Sequence, residues 1–270
     1  MKEKVEQLKV GIIGLGNMGQ AIFDLLKFNR PQKYKFKFFI HSIGTKTVKG
    51  ATCLKTVSEV ISTCDIIFLC IKPQDFYRLP PININNRIII SIMAGVTIQN
   101  IKKIMGTDRI IRTMPNLPLK IGKGVIGWHV KKGKFFPKEL EIIRGIFSFF
   151  GKDLYVSKES MLNAVTAISG SGPAYVFLFI QALIRSAINL GFSREQAKAI
   201  ALQTIIGSAQ YLENEKNFDL KEMIKKVASK GGTTEAALKS IGVNNFYNQW
   251  GRAVKKANAR AEEISKYEIK

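Results

Sequence analysis

Gly14, Leu15, Gly16, Asn17, Met18 and Gly19 have the G-x-G-x-x-G spacing. At that spacing the first glycine allows a tight turn, the second lets backbone approach a pyrophosphate, and the third permits close packing of a helix on a strand. The flanking sequence supplies both elements. Residues 8–14 (LKVGIIG) are a short apolar run suited to a buried parallel strand, and Met18, Ala21, Ile22, Leu25 and Leu26 recur at helical spacing over 17–28. The N-terminus of that helix would present N–H groups and a positive dipole to phosphates, so a dinucleotide is the expected ligand. The bland alternative is a glycine-rich turn with no ligand.

Which dinucleotide follows from an absence. An NAD site usually places Asp or Glu about 20 residues after the glycines to take ribose hydroxyls. Here no acid occurs between Asp24 and Glu59. The second strand instead runs into His41, Ser42, Ile43, Gly44, Thr45 and Lys46, whose imidazole, hydroxyl and ammonium groups suit a 2′-phosphate. NADPH is therefore favoured, with NADH as the alternative. His41, Ser42 and Lys46 are the residues expected to discriminate, although Lys46 taken singly also reads as one more surface lysine.

A second group of residues lies near the C-terminus. Gly231, Gly232, Thr233 and Thr234 precede a helical stretch over 235–241, so free N–H groups there would form an anion site suited to a carboxylate. Ser229 or Thr233 could equally serve as the helix cap, and capping and ligand binding can coexist.

The elements that must position these residues are legible as alternating runs. Strand-like segments at 36–40, 66–71, 87–93 and 109–113 are separated by helical segments such as 57–63 and 97–105, which predicts a parallel sheet built from βαβ units. After a last short strand at 153–156 the pattern turns helical throughout, broken at 170–173, 191–192 and 231–232. The expected architecture is a Rossmann-type α/β domain over 1–156 followed by an all-α helical domain over 157–270. Within the latter, 173–190 (PAYVFLFIQALIRSAINL) is apolar nearly all the way round and must be covered on every side. A second subunit is the natural cover, making a homodimer or a higher oligomer of dimers; a central helix packed only by its own neighbours is the alternative.

Composition narrows the function classes. The 270 residues carry a net charge of +22 and are 46% hydrophobic, enough for a core and too apolar for a disordered tail protein. The excess lysine is dispersed and accompanies no zinc-finger, RRM or clear helix-turn-helix signature, so it reads as a solvated basic surface favourable to anionic small molecules, with no nucleic-acid partner expected. With His41 and His129 as the only histidines and Cys53, Cys64 and Cys70 lacking C-x-x-C spacing, neither a zinc site nor a disulfide framework is expected. The N-terminus lacks the pattern of a secretory signal, and no apolar stretch is expected to reach the roughly 18 residues of a membrane span, the longest lying around 88–96 and 174–184. A cytoplasmic protein with no membrane partner is the expectation.

Five further segments, in order, carry a family resemblance: CIKPQ at 70–74, MAGV at 93–96, RTMPNLP at 112–118, AVTAISGSGPAY at 164–175 and ASKGGTT at 228–234. Over nearly the whole chain the sequence resembles the Δ1-pyrroline-5-carboxylate reductases, and the last two motifs are far more specific than the glycine loop. The resemblance implies a Rossmann domain with a helical dimerisation domain, and NAD(P)H-dependent reduction of a cyclic imine to L-proline. It implies Ile71, Lys72, Pro73, Ala94 and Gly95 along the nicotinamide half of the cofactor. Ser229, Gly231, Gly232, Thr233 and Thr234 would surround the substrate, with Glu159 near it and the Thr234 hydroxyl orienting the ring nitrogen as the catalytic contact. Lys230, Leu117 and Asn163 depart from the family's Pro, Thr and acid, and Val57 stands where a family Asn approaches the ribose. Two rivals are weighed. A β-hydroxyacid dehydrogenase would need a lysine where Val176 stands, and no lysine occurs from 159 through 197. A non-catalytic dinucleotide- or nucleic-acid-associated protein would have no use for the anion site at 231–234.

Overall fold

The computed structural model describes residues 6–29, 34–44, 47–84, 86–215 and 217–266. Lys46 lies outside the described residues.

Eight strands form one sheet in the order β3-β2-β1-β4-β5-β6-β7-β8. They are β1 (Glu6–Ile13), β2 (Tyr34–His41), β3 (Thr52–Cys53), β4 (Ile66–Leu69), β5 (Ile88–Ser91), β6 (Ile110–Pro115), β7 (Gly124–Val130) and β8 (Gly151–Tyr155). All neighbours are parallel except β6 and β7. Every residue of β4 and β5 is buried, as a strand covered on both faces requires.

Each face has its own layer of helices. Val10, Ile12, Phe68 and Ile90 share one core with Ile22, Phe23 and Leu26 of α1 (Asn17–Phe28) and Ile143, Ile146 and Phe147 of α5 (Pro137–Ser148). Ile13, Ile67, Leu69 and Ile89 point the other way, toward Val60 and Ile61 of α2 (Val57–Thr63) and Ile98, Ile101 and Ile104 of α4 (Ile98–Met105). The alternation of neighbouring residues between the two cores is the period-two side-chain rule of a strand. A single short turn, α3 (Pro73–Phe76), follows β4.

The remaining helices are α6 (Met161–Val165), α7 (Gly172–Asn189), α8 (Arg194–Asn214), α9 (Leu220–Val227), α10 (Thr233–Ile241) and α11 (Val243–Lys266). The expected break at 170–173 is a change of winding instead. A π-turn, Thr166–Gly170, joins α6 to α7, and the Ser171 N–H reaches back to the Thr166 carbonyl at 2.8 Å. Pro173 is harmless there, because it sits in the first turn of α7 where its missing N–H has no intrahelical partner to lose. The resulting run, Met161–Asn189, is by length and composition long and apolar enough to cross a membrane, contrary to the expectation that no stretch is, because the π-turn carries the helix on through the expected break.

The chain divides into two compact units, one of residues 1–171 and 257–270 and the other of 172–256. The expected boundary at 156/157 falls at the end of the sheet, earlier in the chain than this division. Leu162 and Val165 pack against Val156 and Met114, so α6 belongs to the first unit.

Candidate active site

In the first unit the glycine loop has the geometry its spacing implies. Gly14 has φ +94° and donates its N–H to the His41 carbonyl at 2.8 Å. A Cβ at Gly14 would lie 2.7 Å from Cγ2 of Ile71, and one at Gly19 would run into the Gly14 carbonyl oxygen. A Cβ at Gly16 would meet nothing, so the backbone there is open to an approaching ligand. Gly16 is the N-cap of α1 and supplies no side chain. The N–H groups of Asn17, Met18 and Gly19 are therefore left by helix geometry for an anion, and the donor set fits a dinucleotide pyrophosphate.

The expected discriminating residues are partly engaged already. The Ser42 hydroxyl accepts the Leu15 N–H at 3.2 Å, tying the end of β2 to the glycine loop and leaving its own proton to donate. His41 Nδ1 lies 3.2 Å from the Leu54 carbonyl, which can only accept, so Nδ1 carries the proton and Nε2 stays open. Ile71 packs against Gly14, Lys72 is the N-cap of α3, and Pro73 opens that turn. Ala94 is exposed on the turn after β5, and Gly95 beside it has φ +76°. Any Cβ at Gly95 would collide with the Ile264 side chain of α11. Cys70 adjoins this loop, but burial pushes its thiol up, and burial with Asp65 nearby pushes Cys64 up to about 12. Neither thiol is a nucleophile near neutral pH.

Glu159 also lies in the first unit. Its Oε1 accepts the Ile98 N–H at the start of α4 at 2.8 Å and a proton of the Arg112 guanidinium at 2.9 Å. Arg112 is 5% exposed. This carboxylate thus closes a helix end and neutralises a buried cation, whatever else it touches. Sequence reasoning missed Arg112, although a charged residue inside the apolar run 109–113 is the signal that would have found it.

The second unit carries Ser229, Gly231, Gly232, Thr233 and Thr234 together at the start of α10. Gly231 has φ +75°, and its N–H is already taken by Oε2 of Glu235 at 2.7 Å. The Gly232 N–H bonds the Ser229 carbonyl at 3.0 Å, and Ser229 Oγ lies 2.6 Å from where a Cβ on Gly232 would stand. The anion site is accordingly narrower than its sequence implies, reduced to the first-turn N–H groups that begin with Thr233 and Thr234. Neither Ser229 nor Thr233 caps the helix, because Gly232 is the N-cap and no side chain bonds there. The Glu235 carboxyl is held below its ordinary range by the Gly231 N–H first and by Lys239 second. Thr234 is half-buried and lines a 610 Å³ apolar groove together with Tyr211, Ile224, Val227 and Leu238.

The departures from the family motif have local accounts. Asn163 is buried and accepts the Ser265 hydroxyl proton at 2.9 Å through Oδ1. Leu117 opens a 3₁₀ turn, Leu117–Ile121, while Asn116 before it accepts the Val125 N–H at 2.8 Å and donates to Ser169. Val57 packs against the second core, and Lys230 is exposed.

Fold and loop together define a Rossmann-type dinucleotide-binding protein with a helical second unit. Residues 159–264 match the family model described as pyrroline-5-carboxylate reductase dimerisation, and 9–95 match that of the coenzyme F420-dependent NADP oxidoreductases. Pyrroline-5-carboxylate reductase of Aquifex aeolicus is 34% identical, over 95% of this chain and 97% of its own. That of Synechocystis sp. is 35% identical over 96% and 99%. The crystal structure of Plasmodium falciparum pyrroline carboxylate reductase with NADP bound superposes with a TM-score of 0.83 at 28% identity, covering 97% of this chain and 100% of that one. The chain belongs to the pyrroline-5-carboxylate reductase family.

Proposed function

We propose that this protein reduces 1-pyrroline-5-carboxylate to L-proline with NADPH, the last step of proline biosynthesis. The observation that carries the reading is the conjunction, in a chain similar end to end to these reductases, of an open glycine loop in one unit and an open helix N-terminus in the other. When bound, NADPH supplies the hydride that the imine carbon accepts. The ring nitrogen arrives protonated near neutral pH, so the residues must orient an iminium and need not donate a proton. The Thr234 hydroxyl accepts from the iminium N–H, and the N–H groups of Thr233 and Thr234 hold the carboxylate. Glu159, paired with Arg112, holds the start of α4 through the Ile98 N–H. Hydride to carbon, with the nitrogen keeping its proton, gives the secondary amine and balances the reaction. Ser42 and His41, with Lys46, are assigned to the 2′-phosphate, toward which Nε2 has to act as an N–H donor because phosphate oxygens only accept.

The same reading places the enzyme in the cytoplasm, where Cys53, Cys64 and Cys70 stay free, as a homodimer or an oligomer of dimers that buries α7. The test is NADPH oxidation with 1-pyrroline-5-carboxylate set against six-membered imines and β-hydroxyacids. Turnover restricted to the five-membered imine supports the assignment, and turnover restricted to a β-hydroxyacid overturns it. Replacing NADPH by NADH should lower kcat/KM, and a preference for NADH of about tenfold or more, worth roughly 1.4 kcal/mol, would remove the 2′-phosphate assignment.

A further inference from the structure

The cleft beside the glycine loop has one wall that comes from outside the first βαβ unit. It measures about 470 Å³ and is lined by Leu15, Gly16, Asn17, Gln20 and Asp24 together with Lys120. Lys120 stands on the 3₁₀ turn Leu117–Ile121, whose backbone is tightly held. Leu119 is fully buried in the same core as Ile22 and Leu26 of α1. Pro118 stiffens the first residues of the turn, and Gly122, at φ +68°, closes it with an N–H bond to the Leu119 carbonyl at 2.8 Å. The stem of Lys120 thus leaves a backbone fixed against α1.

The ammonium itself is uncommitted. Lys120 is exposed and pairs with no carboxylate among the described residues. Asp24, the carboxylate among the residues lining the cleft, accepts from Gln20 Nε2 at 2.9 Å. A helix N-terminus offers only about half an elementary charge, whereas both phosphates of a dinucleotide's pyrophosphate are anionic. A lysine that shares a cleft with the loop adds the full charge that the loop lacks.

We propose that Lys120 is a cofactor-binding residue whose ammonium pairs with the pyrophosphate of NADP(H); this rests on the cofactor reading above. Pyrophosphate is common to both dinucleotides, while the 2′-phosphate is assigned to the end of β2. Loss of Lys120 must therefore weaken NADPH and NADH alike.

Dissociation constants measured by nicotinamide fluorescence on the full-length protein test this, with Lys120→Ala, Lys120→Glu and Lys120→Arg. Removing one charge-assisted contact at an exposed site should raise Kd for both nucleotides about five- to twentyfold, more for Glu, with Arg restoring most of the affinity. The wild type's loss of affinity with salt should flatten in the Ala variant. Because the side chain is exposed, the ligand-free variants should keep the wild-type Tm. An unchanged Kd in the Ala variant, or a loss confined to NADPH, overturns the proposal. A wild type that binds neither dinucleotide overturns the cofactor reading itself.

Discussion

A guanidinium as buried as that of Arg112 needs its carboxylate, and the pair decides how Glu159 is to be read. Family resemblance puts Glu159 near the substrate; the structure gives its Oε1 two donors in the first unit, 61 and 47 residues away in sequence. Such separations carry no local pattern, so the charge inside the apolar run 109–113 marks Arg112 without saying which carboxylate pairs with it. Glu159→Gln leaves Arg112 uncompensated and should cost about 2–3 kcal/mol, less than a fully buried pair because the glutamate side chain is 27% exposed. Thermal denaturation reads this directly; an unchanged Tm with a raised KM for the imine would make Glu159 a substrate contact only. Thr234 is the converse case, a residue legible from its motif whose proposed role is chemical. If its hydroxyl holds a charged nitrogen, Thr234→Ala and the shape-preserving Thr234→Val should each lower kcat/KM roughly tenfold to a hundredfold, or about 1.5–3 kcal/mol, with NADPH affinity unchanged. Wild-type kinetics in the folded Val variant would mean that backbone groups alone orient the substrate.

At the level of elements, apolar runs revealed β1, β2, β4, β5, β6 and β8 but neither β3 nor β7. The reasons are physical. β3 is two residues long, and β7 carries Gly124 and Gly127, which weaken the look of a strand. Gly127 is there because Val165 of α6 packs on it, at 2.6 Å from where a Cβ would stand, and such long-range contacts leave no periodic trace. The turn after β5 shows the same principle at the site. Gly95 was read as a cofactor neighbour, yet its side toward Ile264 is filled by α11. Gly95→Ala therefore meets both a positive φ and a collision, and should destabilise by about 2–4 kcal/mol while weakening NADPH binding. Gly95→Ala with Ile264→Ala removes the side-chain collision and leaves the backbone strain and a tight approach to the Ile264 carbonyl, so the double variant should recover part of the loss. If the single variant melts like wild type, α11 does not hold this turn.

For the molecule as a whole, the two units differ in how much of their apolar surface they bury alone. The first has a continuous core on each face of its sheet. In the second, α7 has no buried residue, and Phe177 and Phe179 are each 55% exposed. Contiguous exposure on that scale is foreign to a solvated monomer and marks a surface that another chain covers. The expected cover is a second copy, in keeping with the dimerisation model matched over 159–264. A charge placed there tests the assembly and the division of labour together. Phe179→Glu should give aggregated protein or monomers, because an unpaired carboxylate cannot be buried in an apolar interface without a penalty of several kcal/mol. Where monomers are recovered, the first unit keeps its own core and glycine loop, so NADPH binding should persist while imine reduction falls with loss of the helical unit's order. Light scattering paired with nucleotide titration separates the outcomes. A stable monomer with full imine reductase activity would show that α7 needs no partner, and that the long apolar helix serves some purpose other than joining two chains.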